Sequence, residues 1–201
     1  SKEQSFEFKT SVKPQLVNVD ADKLLLAEFK DAKTEENYIV QFNNAKNLID
    51  KVQALDYFAG IETQSLQVKN VLNSALSDEF WYIQKKGLSL IDNNDLKGSV
   101  LSKVLDLSAS AEKTSVQSEA YYLLAELKDK RHESAFEKGI QSKSYRVNAA
   151  ALDAMLSVNE TRALEIATSW KNIDNYDVID AVGSTYNTNG DVSKKEYFEN
   201  L

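Results

Sequence analysis

The chain has 201 residues, 42% of them hydrophobic and 27% charged, enough apolar material to bury a core without cross-links. It holds no cysteine, which excludes disulfides and thiolate metal sites and leaves the redox compartment open. The balance is acidic, 31 Asp and Glu against 24 Lys and Arg for a net charge of −7, and no Lys/Arg cluster exceeds a pair or two, which argues against a nucleic-acid-binding face.

No stretch approaches the ~18 uninterrupted apolar residues of a membrane-spanning helix. The opening SKEQSFEFKT has no apolar run of the signal-peptide kind and no Met, so the chain is expected to be processed or cut from something longer. Residues 5–30, SFEFKTSVKPQLVNVDADKLLLAEFK, hold the single proline, Pro14. Phe6 and Phe8 alternate with polar residues, as do Leu16-Val17 and Val19. That alternation predicts short strands, with Pro14 at an edge or turn and Asp20 to Asp22 turning the chain. Two or three strands in so short a stretch do not make an independent sheet, so they need a partner.

From Thr34 onward there is no proline and helix formers dominate. Apolar spacing predicts helices over 35–44, 46–59, 64–76, 78–91, 96–108, 114–127, 130–140, 144–157, 160–170 and 174–186, with 192–201 as a last short helix. Gly60, Gly98 and Gly139 fall where apolar runs start or stop, as helix ends require.

DEFWYIQKKGLSLI (78–91) and KSYRVNAAALDAML (143–156) read as variants of one pattern. Ile83, Gly87, Leu88 and Ile91 superpose on Val116, Ala120, Tyr121 and Leu124, 33 residues on. Those superpose on Val147, Ala151, Leu152 and Met155 after 31 more. Each set is an apolar residue, a small residue four later, then two apolar residues on the next turn; the small residue lets a neighbouring helix come close. Leu55 and Phe58 echo the pattern 33 residues before Leu88 and Ile91. Two helices per period of this length predict a mainly α fold, an α-solenoid of helix pairs.

Few residues suggest chemistry. His132, the only histidine, opens HESAF, half of the H-E-x-x-H zinc helix; Phe136 stands where the second His would be, so no zinc site is expected. TYNTNGDVSKKE (185–196) places Asn187, Asn189, Gly190, Ser193 and Glu196 in register with a calcium loop. Thr185 takes the place of its first Asp, so an Asn-Gly turn between helices is the expectation. Asp92, Asn93, Asn94 and Asp95 read as a turn with Asp95 capping the next helix. Trp81, Tyr82, Tyr121 and Tyr122 could line a groove, although at helical spacing core positions are the expectation. AELKDKRHE (125–133) alternates in sign and reads as a solvated turn. There is no P-loop, dinucleotide-binding fingerprint or nucleophile elbow, and no catalytic, cofactor or metal residue is assigned.

Residues 14–58, PQLVNVDADKLLLAEFKDAKTEENYIVQFNNAKNLIDKVQALDYF, resemble the passage by which aminopeptidase N-type zinc metallopeptidases leave a small β-sandwich and enter a C-terminal helical domain. The likeness runs through VNVD, KLLLAEFK, ENYIVQF and a helix matched at Ala45, Leu48, Asp50, Lys51, Ala54 and Leu55. It is strongest to bacterial members of the Bacteroidetes type with a HEAT-like C-terminal region, and extends over the later helices with softer motifs. The resemblance implies that 1–33 is the end of a preceding β-sandwich and 34–201 a HEAT-like helical domain. Such a domain packs on the catalytic domain and shapes the peptide chamber, and zinc belongs to that other domain. Neither the family's zinc motif nor its G-x-M-E-N loop is present, so no catalytic residue carries over and the chain alone is not expected to be an enzyme. Enzymes of this type in such bacteria are often exported. The alternative expectation is a stand-alone HEAT-like scaffold for protein–protein interaction.

Overall fold

The computed structural model describes residues 5–26, 32–189 and 197–198. Among them are ten α-helices: α1 (Glu35–Asn44), α2 (Leu48–Ala59), α3 (Leu66–Ala75), α4 (Trp81–Leu88), α5 (Gly98–Ser110), α6 (Thr114–Ala125), α7 (Glu133–Ile140), α8 (Tyr145–Leu156), α9 (Glu160–Trp170) and α10 (Tyr176–Asn189). The mainly helical class is as expected, and each of the ten expected helices has its counterpart. The last one, over 192–201, lies outside the described residues apart from Tyr197 and Phe198. No described helix is long and apolar enough to cross a membrane. The chain divides into two compact units, residues 1–71 and 72–201.

In the first unit, Thr34 starts α1 with a reciprocal cap. Its hydroxyl accepts from the Asn37 amide, and Asn37 Oδ1 accepts from the Thr34 amide at 3.0 Å. Asn47 starts α2 by accepting from the Asp50 amide at 2.8 Å, and Gly60 closes it. The two helices pack together, with Tyr38 and Tyr57 stacked at 4.2 Å between ring centres. Gln41, buried in α1, donates through Nε2 to the Asp50 carbonyl at 2.9 Å and to Gln53 Oε1 at 3.2 Å.

The short strands expected over 5–30 do not form among the described residues 5–26, and 27–31 lie outside the description. The alternation of Phe6, Phe8, Val17 and Val19 is real, but all four side chains are exposed, so no sheet face is buried by it. A turn does form at Val19–Asp22, where Asp20 and Lys23 adopt positive φ of 49° and 52° and break the extended run.

The second unit holds a continuous core whose largest members include Tyr121, Phe136, Leu124, Leu152 and Met155. The repeat register accounts for it. Ile83, Gly87 and Leu88 are buried on α4, with Ile91 past its end and only half-buried; Val116, Ala120, Tyr121 and Leu124 are buried on α6, and Val147, Ala151, Leu152 and Met155 on α8. A further set lies 31 residues on, at Val178, Val182, Gly183 and Tyr186 of α10, with only Gly183 short of full burial. These helices pack in order, α4 on α6, α6 on α8 and α8 on α10; α5, α7 and α9 pack against α6, α8 and α10. Each fully buried Val, Leu, Ile, Phe or Met side chain in this core contributes ~1.5–3 kcal/mol.

The small residues of the pattern mark the closest approaches. A Cβ on Gly87 would stand 2.9 Å from the Ala75 Cβ. One on Gly139 would stand 2.6 Å from both the Ala151 Cβ and Tyr121 Cζ. Gly139 therefore sits near the end of α7 because α6 and α8 press on it, which is a different reason from the expected helix-end role. Asn148, buried on α8, ends α7 instead: its Nδ2 reaches the carbonyls of Gly139, Ile140 and Ser142 at 3.1, 2.9 and 2.9 Å.

Candidate interaction face

The buried stripes of α6, α8 and α10 fix what stands beside them. Glu119 and Tyr122 adjoin core residues of α6 in sequence, Arg146 and Asp153 those of α8, and Asp177 and Asp180 those of α10. The four carboxylates act on Tyr122. Burial first, then the charges of Asp153, Asp177, Asp180 and Glu119, hold its phenol above the ordinary tyrosine range. Burial also pushes the Asp153 carboxyl up to about 6, with the Asp180 charge adding to it. Glu119 is raised by burial and lowered in part by the Lys85 ammonium. Arg146 offers partial compensation, its Nε 4.0 Å from Asp177 Oδ2. This is a negative, tyrosine-bearing face. It holds no histidine, and among the described residues no three His, Cys, Asp or Glu converge as metal ligands do.

The aromatics proposed for a groove separate into two kinds. Tyr121 belongs to the core, where its ring meets Phe136 edge-on at 6.3 Å and its hydroxyl donates to the Ala135 carbonyl at 3.2 Å. Trp81, Tyr82 and Tyr122 are exposed, Trp81 and Tyr82 edge-on at 5.7 Å. At 81–82 and 122, core placement fails because these positions lie off the buried stripe.

The remaining candidates resolve from local geometry. His132 ends a short 3-10 turn, Lys130–His132, and Phe136 one turn on is fully buried, so the side chain a second zinc ligand would need is a core phenylalanine. In the 92–95 cluster Asp92, not Asp95, is the cap. Its Oδ1 accepts from the Asn94 amide at 2.8 Å and opens a 3-10 turn over Asn93–Asp95. Lys97 then precedes α5 without a side-chain cap. Thr185, Asn187 and Asn189 lie within α10, and Thr185 is fully buried with its hydroxyl donating to the Ala181 carbonyl at 2.9 Å. Positions 1, 3 and 5 of a calcium loop must converge on one point, and a straight helix spreads them around its axis. The expected Asn-Gly turn therefore starts no earlier than the end of α10, and 190–196 lie outside the described residues.

Sequence reasoning missed the polar cluster around Asp50 in the first unit. Asn18, Lys23 and Asn47 converge on its buried carboxylate. An aspartate on the apolar stripe of LIDKVQALDYF was the available signal, because a buried charge demands partners. No protein-family model matches the chain, and no curated protein matches it.

Proposed function

We propose that the chain is the non-catalytic C-terminal helical region of an aminopeptidase N-type zinc metallopeptidase of the Bacteroidetes type. In this reading residues 1–33 end a preceding β-sandwich. The helices from Thr34 on form a HEAT-like α-solenoid that packs on the catalytic domain and shapes the peptide chamber, and zinc resides in that other domain. The observation that carries the reading is the 14–58 resemblance. What supports it physically is that the matched positions do structural work: Asp50, Ala54 and Leu55 are buried on α2, and Gln41 of ENYIVQF bonds to α2. The repeat register of α4, α6, α8 and α10 supports the solenoid.

The test is the size of the native polypeptide, by immunoblot of source cells with an antibody against this chain. A band far above 22.6 kDa, with zinc and aminopeptidase activity in the protein so identified, is the expected result. A band at 22.6 kDa, or a larger protein without that activity, removes the reading. The second reading, a stand-alone HEAT-like interaction scaffold, is favoured by the exposed Trp81, Tyr82 and Tyr122.

A further inference from the structure

The segment from Val17 to Leu25 is not held down by its apolar side chains. Val17, Val19, Leu24 and Leu25 are 66, 49, 81 and 63% exposed. It is anchored on the Asp50 carboxylate and, through the Ala21 carbonyl, on Asn47. The Asp50 side chain is only 5% exposed. Asn18 Nδ2 and Asn47 Nδ2 each donate to its Oδ2 at 3.0 Å, and the Lys23 ammonium lies 2.8 Å from its Oδ1. Lys23 is itself 16% exposed and also reaches the Asp20 carbonyl at 3.3 Å and Asn18 Oδ1 at 3.4 Å. Asn47 holds the same stretch from the helix side, with Nδ2 3.0 Å from the Ala21 carbonyl. The turn between carries two left-handed residues, Asp20 and Lys23, a backbone that non-glycine residues avoid in a free chain. The Asp20 carboxylate steadies it by accepting from the Leu24 and Leu25 amides at 3.0 and 2.9 Å.

We infer that Asp50 and Lys23 form an ionic latch, and that residues 18–25 are a strap which closes on this latch and opens as a unit while α1 and α2 stay folded. The strap has no apolar burial to keep it in place and a strained turn that favours release. Removing the carboxylate leaves the enclosed Lys23 without its counter-charge, the arrangement that costs most. Every group in the latch lies between Asn18 and Asp50, so the inference does not rest on the proposed function.

Trypsin reads the latch directly, since it must take the Lys23 side chain out of the Asp50 site. The rate of cleavage after Lys23 is compared with that after Lys9, which is exposed, in the full chain. Asp50→Asn is expected to raise that ratio by at least roughly tenfold with the helical circular dichroism unchanged. Asn18→Ala, made on the strap alone, is expected to raise it in the same direction. Asp22→Asn, exposed and outside the latch, is expected to leave it unchanged. A wild-type ratio in both Asp50→Asn and Asn18→Ala overturns the latch. Loss of helicity in Asp50→Asn, with Asn18→Ala at the wild-type ratio, also overturns it, because the carboxylate would then hold α2 and not the strap.

Discussion

Replacing Gly139 by alanine tests the packing of the second unit. The added Cβ would meet the Ala151 Cβ and Tyr121 Cζ at 2.6 Å and the Tyr121 hydroxyl at 2.8 Å, where ordinary contact begins near 3.4 Å. None of these neighbours is the loose end of a flexible chain. Ala151 is fully buried on α8, and the Tyr121 ring is fixed against Phe136 with its hydroxyl on the Ala135 carbonyl. Relief therefore means moving α7 off α6 and α8, at a cost of ~1–3 kcal/mol for overpacking and ~1 kcal/mol for the strained hydrogen bond. The gain in helix propensity returns up to ~1 kcal/mol. The net expectation is a loss of about 2 kcal/mol, read as a fall of about 1 M in the urea midpoint followed by circular dichroism at an m-value near 2 kcal/mol/M. Two other glycines set the scale. Gly60→Ala meets only the Tyr57 carbonyl at 3.5 Å and is expected to be nearly neutral. Gly98→Ala meets nothing but must hold φ +54°, at a cost of ~1 kcal/mol. Wild-type stability in Gly139→Ala, or an equal loss in Gly60→Ala, would refute the close-approach argument.

Asn148→Ala should lower stability by ~2–3 kcal/mol, since two α7 carbonyls and that of Ser142 just beyond lose their donor; a change below ~0.5 kcal/mol in the same urea assay would count against the cap. For Asp153, the folded-state carboxyl at about 6 lies above its ordinary value of 3.8, so its contribution is full below 3.8 and is lost as pH rises through about 6. Asp153→Asn lacks that loss, and its stability relative to the parent should improve by roughly 2 kcal/mol between pH 4 and pH 7.5; equal offsets at both pH values would contradict the burial argument. Arg162 grips Glu137 through Nε at 2.6 Å and Glu165 through Nη1 at 3.0 Å, but it is 41% exposed. Arg162→Ala should therefore cost less than ~1 kcal/mol, and its melting curve should stay close to that of the parent in high salt.

Much of the helical unit from α4 on was legible because apolar stripes that bury against a neighbouring helix recur every 31–33 residues and leave their spacing in the sequence. At α10, Val178, Val182 and Tyr186 are buried at the register positions, although Val182 stands where α4 has the small Gly87 and Gly183 where it has Leu88. What escaped depends on partners that spacing cannot specify. Alternation at Phe6, Phe8, Val17 and Val19 satisfies the strand pattern, yet a strand exists only when a second backbone completes its ladder, and none does among residues 5–26. Asp92 and Asp95 are equally good caps on composition, and only the 3-10 turn between them decides which one faces a free amide. Gly139 looks like a helix-end glycine until α8 is laid on α7, when it becomes the point of contact and Asn148 of α8 supplies the cap. Asp50 is the extreme case. In the sequence it is one of three charges on α2, and the three side chains that make its burial tolerable come from two segments, one of them Asn18 and Lys23 far back in the chain. A pattern of apolar residues is a statement about a face and can be read locally. A buried charge is a statement about a set of partners, and only the folded chain assembles that set.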